Sequence, residues 1–269
     1  MKIIGEKING TLKKVRRAIE ERDSTFIGEL ALSQVSAGAD WLDINAGTAP
    51  DRETEDLLWL VECVQDVTDI PLCLDSANPE PLTAAAGIVA RTPMINSISL
   101  EQQKIREILP VVREYRCDVI ALAMDDGGIP ASTEERLRII HNLMEEMDKA
   151  GVTPDRIYLD PLVMGIATNT ASGGIALETI RSAATLYEGV HFCAGLSNIS
   201  FGLPQRSLIN QVFLTLAIEA GLDTAILNPL DRELRGAILA TELVLGRDRH
   251  CQRYTRASKN GLIGRVAVS

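Results

Sequence analysis

Short apolar runs that end in Asp or Asn recur along the chain. Ile3–Ile8 runs into Asn9, Trp41–Ile44 into Asn45, Leu72–Leu74 into Asp75, and Met94–Ile95 into Asn96. Further on, Val119–Met124 gives way to Asp125, Arg156–Leu159 to Asp160, His191–Leu196 to Ser197 and Asn198, and Thr224–Leu227 to Asn228. Runs of this length, bounded by residues such as Pro71 and Pro93, predict buried strands. Helical patterning lies between them, over Leu12–Arg22, Phe26–Ala37, Asp51–Thr68, Gln102–Arg116, Gly174–Tyr187, Leu208–Ala220 and Asp231–Leu245. An Ala-rich segment, Pro79–Ala90, separates the third and fourth strands. Ser132 with Glu135 three residues on forms a capping box and predicts a helix reaching about Ala150.

The polar strand ends recur about every 31 residues, close to the length of one β-α unit. Eight such units predict an α/β fold of the (β/α)8 TIM-barrel type, a single domain whose active site lies at the C-terminal strand ends. A doubly wound open sheet is the main alternative; neither G-x-G-x-x-G after the first strand nor a P-loop is present. Residues 1–246 are expected to form the barrel and 247–269 a basic extension, carrying Arg247, Arg249, Arg253, Arg256, Lys259 and Arg265. That extension reads as solvated or as a subunit contact.

Composition narrows the function. A net charge of −10 argues against a nucleic-acid partner, whose phosphates an acidic surface repels. No apolar run approaches membrane-spanning length, and the N-terminus enters a strand without a signal-peptide core, so a cytoplasmic protein is expected. Cys63, Cys73, Cys117, Cys193 and Cys251 are scattered without a C-x-x-C pair, which makes disulfides and a Cys-rich metal site improbable; no metal is assigned.

A ring of Asp and Asn suits a ligand rich in N–H donors and ring acceptors. Carboxylates accept two parallel hydrogen bonds, and amides both donate and accept. The 2-amino-4-oxo pyrimidine edge of a pterin or guanine presents an N–H beside an NH₂, which a buried carboxylate matches in bidentate fashion. Asp75 and Asp160 are the candidates, with Asn96 for the remaining ring atoms. Asp43 is divided evenly between a structural and a site role, and Asp160 before Pro161 has a turn-capping alternative. Asn228-Pro229 and Asp125-Asp126 read as turns, and His141, His191 and His250 are not placed for catalysis. Lys7 is a possible anion contact that strand alternation can aim outward, whereas Arg206 is better placed for a carboxylate or phosphate.

Six motifs in one order carry a resemblance. G-E-K-I-N-G (Gly5–Gly10), L-D-I-N-A-G (Leu42–Gly47), C-L-D-S-A-N (Cys73–Asn78), M-I-N-S (Met94–Ser97), Y-L-D-P-L (Tyr158–Leu162) and G-L-S-N-I-S (Gly195–Ser200) resemble the methyltetrahydrofolate:corrinoid protein methyltransferases, as far as about Leu245. The resemblance implies a pterin-binding barrel, usually a homodimer, that moves a methyl group between N5 of tetrahydrofolate and the cobalt of a corrinoid held by a partner protein. The direction is left open. By matching motif, Asp75, Asn96 and Asp160 would hold the pterin, Asn198 would be the catalytic asparagine near N5, and Arg206 would contact the ligand. Glu6 and Ser197 complete the expected folate-binding set.

An amide yields no proton at neutral pH, so Asn198 is expected to donate a hydrogen bond to N5 that strengthens in the transition state. Solvent or a network through Asp75 would handle the proton, which gives Asp75 a catalytic as well as a binding role. The sequence departs from the family in Asp125–Gly128 and Ile166–Gly174, which bears on partner identity. Two alternatives are a dihydropteroate synthase-like enzyme, whose diphosphate site and K-x-x-G-P-like loop are not found, and a non-catalytic folate-binding subunit of a corrinoid protein complex.

Overall fold

Eight residues, one from each strand or its direct continuation, fill the inside of a barrel: Ile4, Trp41, Cys73, Met94, Ile120, Tyr158, Cys193 and Ile226. Neighbouring positions on the same strands, such as Ile3, Leu42, Leu72, Leu74, Ile95, Val119, Leu159 and Ala225, face outward and pack with the surrounding helices. Both sets follow from the two-residue period of a strand. Each fully buried Leu or Ile contributes about 1.5–3 kcal/mol. The computed structural model describes residues 1–264.

Among these residues the strands are β1 (Lys2–Asn9), β2 (Trp41–Asn45), β3 (Leu72–Asp75), β4 (Met94–Ser99), β5 (Asp118–Leu122), β6 (Ile157–Asp160), β7 (His191–Phe192) and β8 (Thr224–Leu227). The helices are α1 (Lys13–Glu21), α2 (Ser24–Ser36), α3 (Pro50–Gln65), α4 (Pro79–Ala86), α5 (Gln102–Glu107), α6 (Leu109–Glu114), α7 (Thr133–Lys149), α8 (Ser172–Leu186), α9 (Arg206–Ala220), α10 (Arg232–Val244) and α11 (Gln252–Lys259). Every strand pairs in parallel with its sequence neighbour from β1 through β7, and β1 also pairs with β8. A parallel bridge between Gly195 and Ile226 closes the ring on the β7 side. The expected (β/α)8 barrel is therefore the observed architecture.

Three expectations change in detail. The helix expected over Gln102–Arg116 is two helices, α5 and α6, because Pro110 lies in the first turn of α6 and has no N–H to continue α5. Strand β5 stops at Leu122 and β7 at Phe192, short of the expected Met124 and Leu196. Beyond β7 the chain forms a 3₁₀ turn, Leu196–Ser200, which carries Ser197 and Asn198.

The described part of the C-terminal segment folds back. Asp248 accepts from the Arg253 and Tyr254 N–H groups at the start of α11, and Arg253 pairs with Glu242 of α10 at 2.7 Å. Arg265 lies outside the described residues. No helix among them is long and apolar enough to cross a membrane.

Candidate active site

Two residues beyond each member of the interior layer stand Glu6, Asp43, Asp75, Asn96, Leu122, Asp160, Gly195 and Asn228, and all eight line one cavity of about 780 Å³. The side-chain period that fills the barrel with apolar groups thus aims the next inward residue of each strand at its C-terminal mouth. Cys73 and Cys193 are fully buried below, where burial pushes both thiols well up and leaves them as core groups.

The cavity brings together every residue expected at the site: Glu6, Asp75, Asn96, Asp160, Ser197, Asn198 and Arg206. Asp43, evenly divided from sequence, lines it too. Asp75 accepts from the Asn45 amide at 2.7 Å, and Asp43 accepts from the Asn96 amide at 3.2 Å. Burial raises the pKa of Asp75 against the stabilising Asn45 bond, with Glu53 adding a like charge. Burial and the adjacent Asp75 hold Asp43 well above the ordinary carboxyl range. Ser76 and Asn78 of C-L-D-S-A-N instead donate to Glu53 of α3 and brace the loop behind Asp75.

Asp160 caps its turn and also faces the cavity. Its Oδ1 accepts from the Leu162 N–H at 2.7 Å, closing the turn, while the residue lines the cavity. Burial pushes its pKa up to about 6, opposed by the Leu162 and Gly195 backbone donors and by Arg136. Arg136, on α7, is buried and donates Nη1 to the carbonyls of Pro161 at 2.6 Å and Leu162 at 2.9 Å. Sequence reasoning missed it, because a cation on an amphipathic helix carries no mark of being inward.

Lys7 departs from the alternation argument. The β1 register slips relative to β2 between Gly5 and Ile8, so β1 carries one extra residue there. Such a bulge lets the consecutive residues Glu6 and Lys7 both line the cavity. Burial raises the Glu6 pKa, while the charges of Lys7 and Arg206 lower it. Strand β4 slips in the same way between Asn96 and Ile98, and Ser97 joins Asn96 at the wall. Gly10, at the end of the first motif, is required sterically: a Cβ there would stand 1.7 Å from the Ala46 carbonyl oxygen.

Asn228 holds the expected turn, accepting from the Leu230 N–H at 3.1 Å, and lines the cavity as well. Asp125 lies outside the cavity, bonded to the Gly127 N–H and to Arg138. His191 stacks on Tyr158 and bonds Asp223 at the opposite end of the strands.

Asn198 is exposed at the edge of the cavity, and among the described residues its side-chain amide has no hydrogen-bond partner. Its Nδ2 packs over Gly195, where an added Cβ would sit 3.1 Å away. The arrangement is a set of carboxyl and amide groups with the Asn198 amide exposed at the mouth; on the same wall the buried Asn210 Oδ1 likewise has no hydrogen-bond partner among the described residues. Among the described residues, no group of three or more His, Cys, Asp or Glu is arranged to hold a metal ion.

Comparison with known proteins bears on the fold and the family. A structural neighbour, Xanthomonas albilineans dihydropteroate synthase in complex with indole-2-carboxylic acid and 6-chloroguanine, shares the fold with a TM-score of 0.72 at 22% identity, over 93% of each chain. In sequence, the chain is 41% identical to the methylcorrinoid:tetrahydrofolate methyltransferase of Eubacterium limosum over 268 residues, 99% of both chains. It is 30% identical to the methionine synthase of Mycobacterium leprae over 239 residues, 84% of this chain and 20% of that protein. The model of the pterin binding enzymes matches residues 5–228, and the chain belongs to that family.

Proposed function

We propose that this protein is a methyltransferase that moves a methyl group between the cobalt of a corrinoid carried by a partner protein and N5 of tetrahydrofolate. The observation that carries the reading is the free Asn198 amide at the mouth of a cavity whose floor holds Asp75, Asn96 and Asp160. Pterin retention alone would need the floor and not the amide. The E. limosum relative is named for transfer from methylcorrinoid to tetrahydrofolate, and we assign the same direction here.

In that direction the N5 lone pair takes the methyl carbon, the bonding pair stays with cobalt, and the N5 proton must leave. Ionised Asp75 and Asp160 accept the N–H and NH₂ groups of the pterin edge, and Asn96 meets the remaining ring atoms. Glu6, Ser197 and Arg206 complete the folate contacts. Charge develops on an N5 that still carries hydrogen, so the Asn198 oxygen, rather than its NH₂, is the useful group: it accepts from N5–H, whereas a donor would compete for the attacking lone pair. Solvent or the Asp75 network then takes the proton. Reversibility makes the same contacts serve methyl removal.

The barrel of residues 1–246 supplies the site, and residues 247–269 are assigned as a basic extension whose described part is held against α10. The protein acts in the cytoplasm as a homodimer. An anaerobic absorbance assay tests the function: with methylcob(III)alamin and tetrahydrofolate, the cob(I) band should appear only with enzyme, and it should decay in the reverse mixture. If transfer is absent from both mixtures and also with corrinoid proteins supplied, while folate still binds, the chain is a folate-binding subunit instead.

A further inference from the structure

Among the described residues Asn198 makes no side-chain hydrogen bond, so its direction is set by the backbone that carries it. That backbone is fixed on two sides. Below, Leu196 and Ile199 are buried, and the Ile199 carbonyl accepts from the Ile166 N–H at 3.0 Å. Above, Arg206 donates Nη2 to the Ser197 carbonyl at 2.7 Å and Nε to the Ser200 hydroxyl at 3.0 Å. Ser200 donates in turn to the same Ser197 carbonyl at 3.3 Å, closing a triangle around the peptide that leads into Asn198. The Arg206 guanidinium also lies 6.0 Å from the Phe201 ring centroid. Arg206 is the first residue of α9, which is anchored by buried Phe213, Leu214 and Ala217.

We propose that Arg206 is a positioning residue that aims Asn198, by clamping the Ser197 carbonyl and the Ser200 hydroxyl to the start of α9. This rests on the methyltransferase reading for its kinetic consequence, though not for its structural one. The planar fork of a guanidinium spans two acceptors at fixed separation, which a lysine ammonium cannot do. The expected ligand contact by Arg206 therefore accounts for only part of its role, since two of its three nitrogens serve the turn.

The test uses Arg206→Lys, with Ser200→Ala as a second variant that leaves the cation in place. For transfer from methylcob(III)alamin to tetrahydrofolate, kcat should fall roughly 10–100-fold in Arg206→Lys and several-fold in Ser200→Ala, as expected when a reacting group is misplaced by a fraction of an ångström. The tetrahydrofolate Kd, measured by calorimetry, should shift by less than about twofold in Ser200→Ala, and in Arg206→Lys, which also alters a folate contact, by clearly less than kcat falls. Hydrogen exchange of the ligand-free protein should quicken over 196–201 and stay unchanged over 213–218. Equal losses in kcat and affinity would make Arg206 a ligand contact alone, and unchanged exchange over 196–201 would overturn the clamp. Should wild type transfer no methyl group, the functional reading is what fails, and hydrogen exchange still decides the role of Arg206.

Discussion

The side-chain amide of Asn45 donates to the Asp75 carboxylate at 2.7 Å across the β2–β3 pair. The bond favours the ionised form of a carboxyl that burial would otherwise protonate. It occupies Oδ2, and Oδ1 has no hydrogen-bond partner among the described residues. Asn45→Ala is therefore expected to weaken tetrahydrofolate binding several-fold at pH 7 and to move the midpoint of the pH–affinity curve upward. Asp75→Ala should lower affinity by roughly 10–100-fold with the fold intact, the worth of one or more charge-assisted bonds. Calorimetric titration reads both, and unchanged affinity in Asp75→Ala would remove it from the ligand set.

Asn198→Ala should separate chemistry from binding. Its amide stands free at the cavity mouth, so its loss is expected to lower turnover by roughly 10²–10³. Tetrahydrofolate affinity should change little. Comparable losses in turnover and affinity would assign it to binding alone.

The Asp160 carboxyl predicts opposite effects of pH on stability and on binding. Its pKa is raised from an ordinary 3.8 to about 6, with burial as the largest cause. Between these values the folded protein holds a proton that the unfolded chain has lost, so stability falls as pH rises from about 4 to about 6. The contribution is on the order of 2–3 kcal/mol, and it shares its sign with those of the raised Glu6, Asp43 and Asp75. Asp160→Asn should make the pH dependence of denaturant midpoints in that window shallower. Pterin binding needs the ionised acceptor, so affinity should instead rise through about pH 6, and a flat pH–affinity curve would count against Asp160 as a ligand contact.

Arg136→Met tests the support behind Asp160. The substitution leaves the Pro161 and Leu162 carbonyls without their buried donor and removes the cation that opposes the rise in the Asp160 pKa. Loss of about 2–4 kcal/mol of stability is expected, typical of a broken buried polar network. The titration of Asp160, followed by NMR, should move further up. A downward movement would mean that Arg136 does not act on that carboxyl.

What the sequence by itself determined was the architecture and most of the residues that meet at one mouth. Apolar runs at regular intervals, each ended by a polar residue, specify eight buried strands whose ends meet at one mouth. Asp75, Asn96 and Asp160 follow directly, because each lies two residues past an interior position, at Cys73, Met94 and Tyr158. Which member of a polar pair faces the cavity was decided by the tertiary structure. At β2 the interior residue is Trp41, so Asp43 lines the cavity, while Asn45 is turned to hold Asp75. At β5 the inward residue is Leu122, and Asp125 falls outside the cavity beyond the strand end.

Lys7 faces the cavity only through the β1 bulge, a register slip that depends on how β2 sits beside it. Arg136 and Arg206 gained their roles in the same way, through contacts with carbonyls 25 residues and nine residues away along the chain. Local periodicity fixes the face a residue takes within its own strand. Register, bulges and side-chain reach between elements depend on distances that exist only once the barrel has closed.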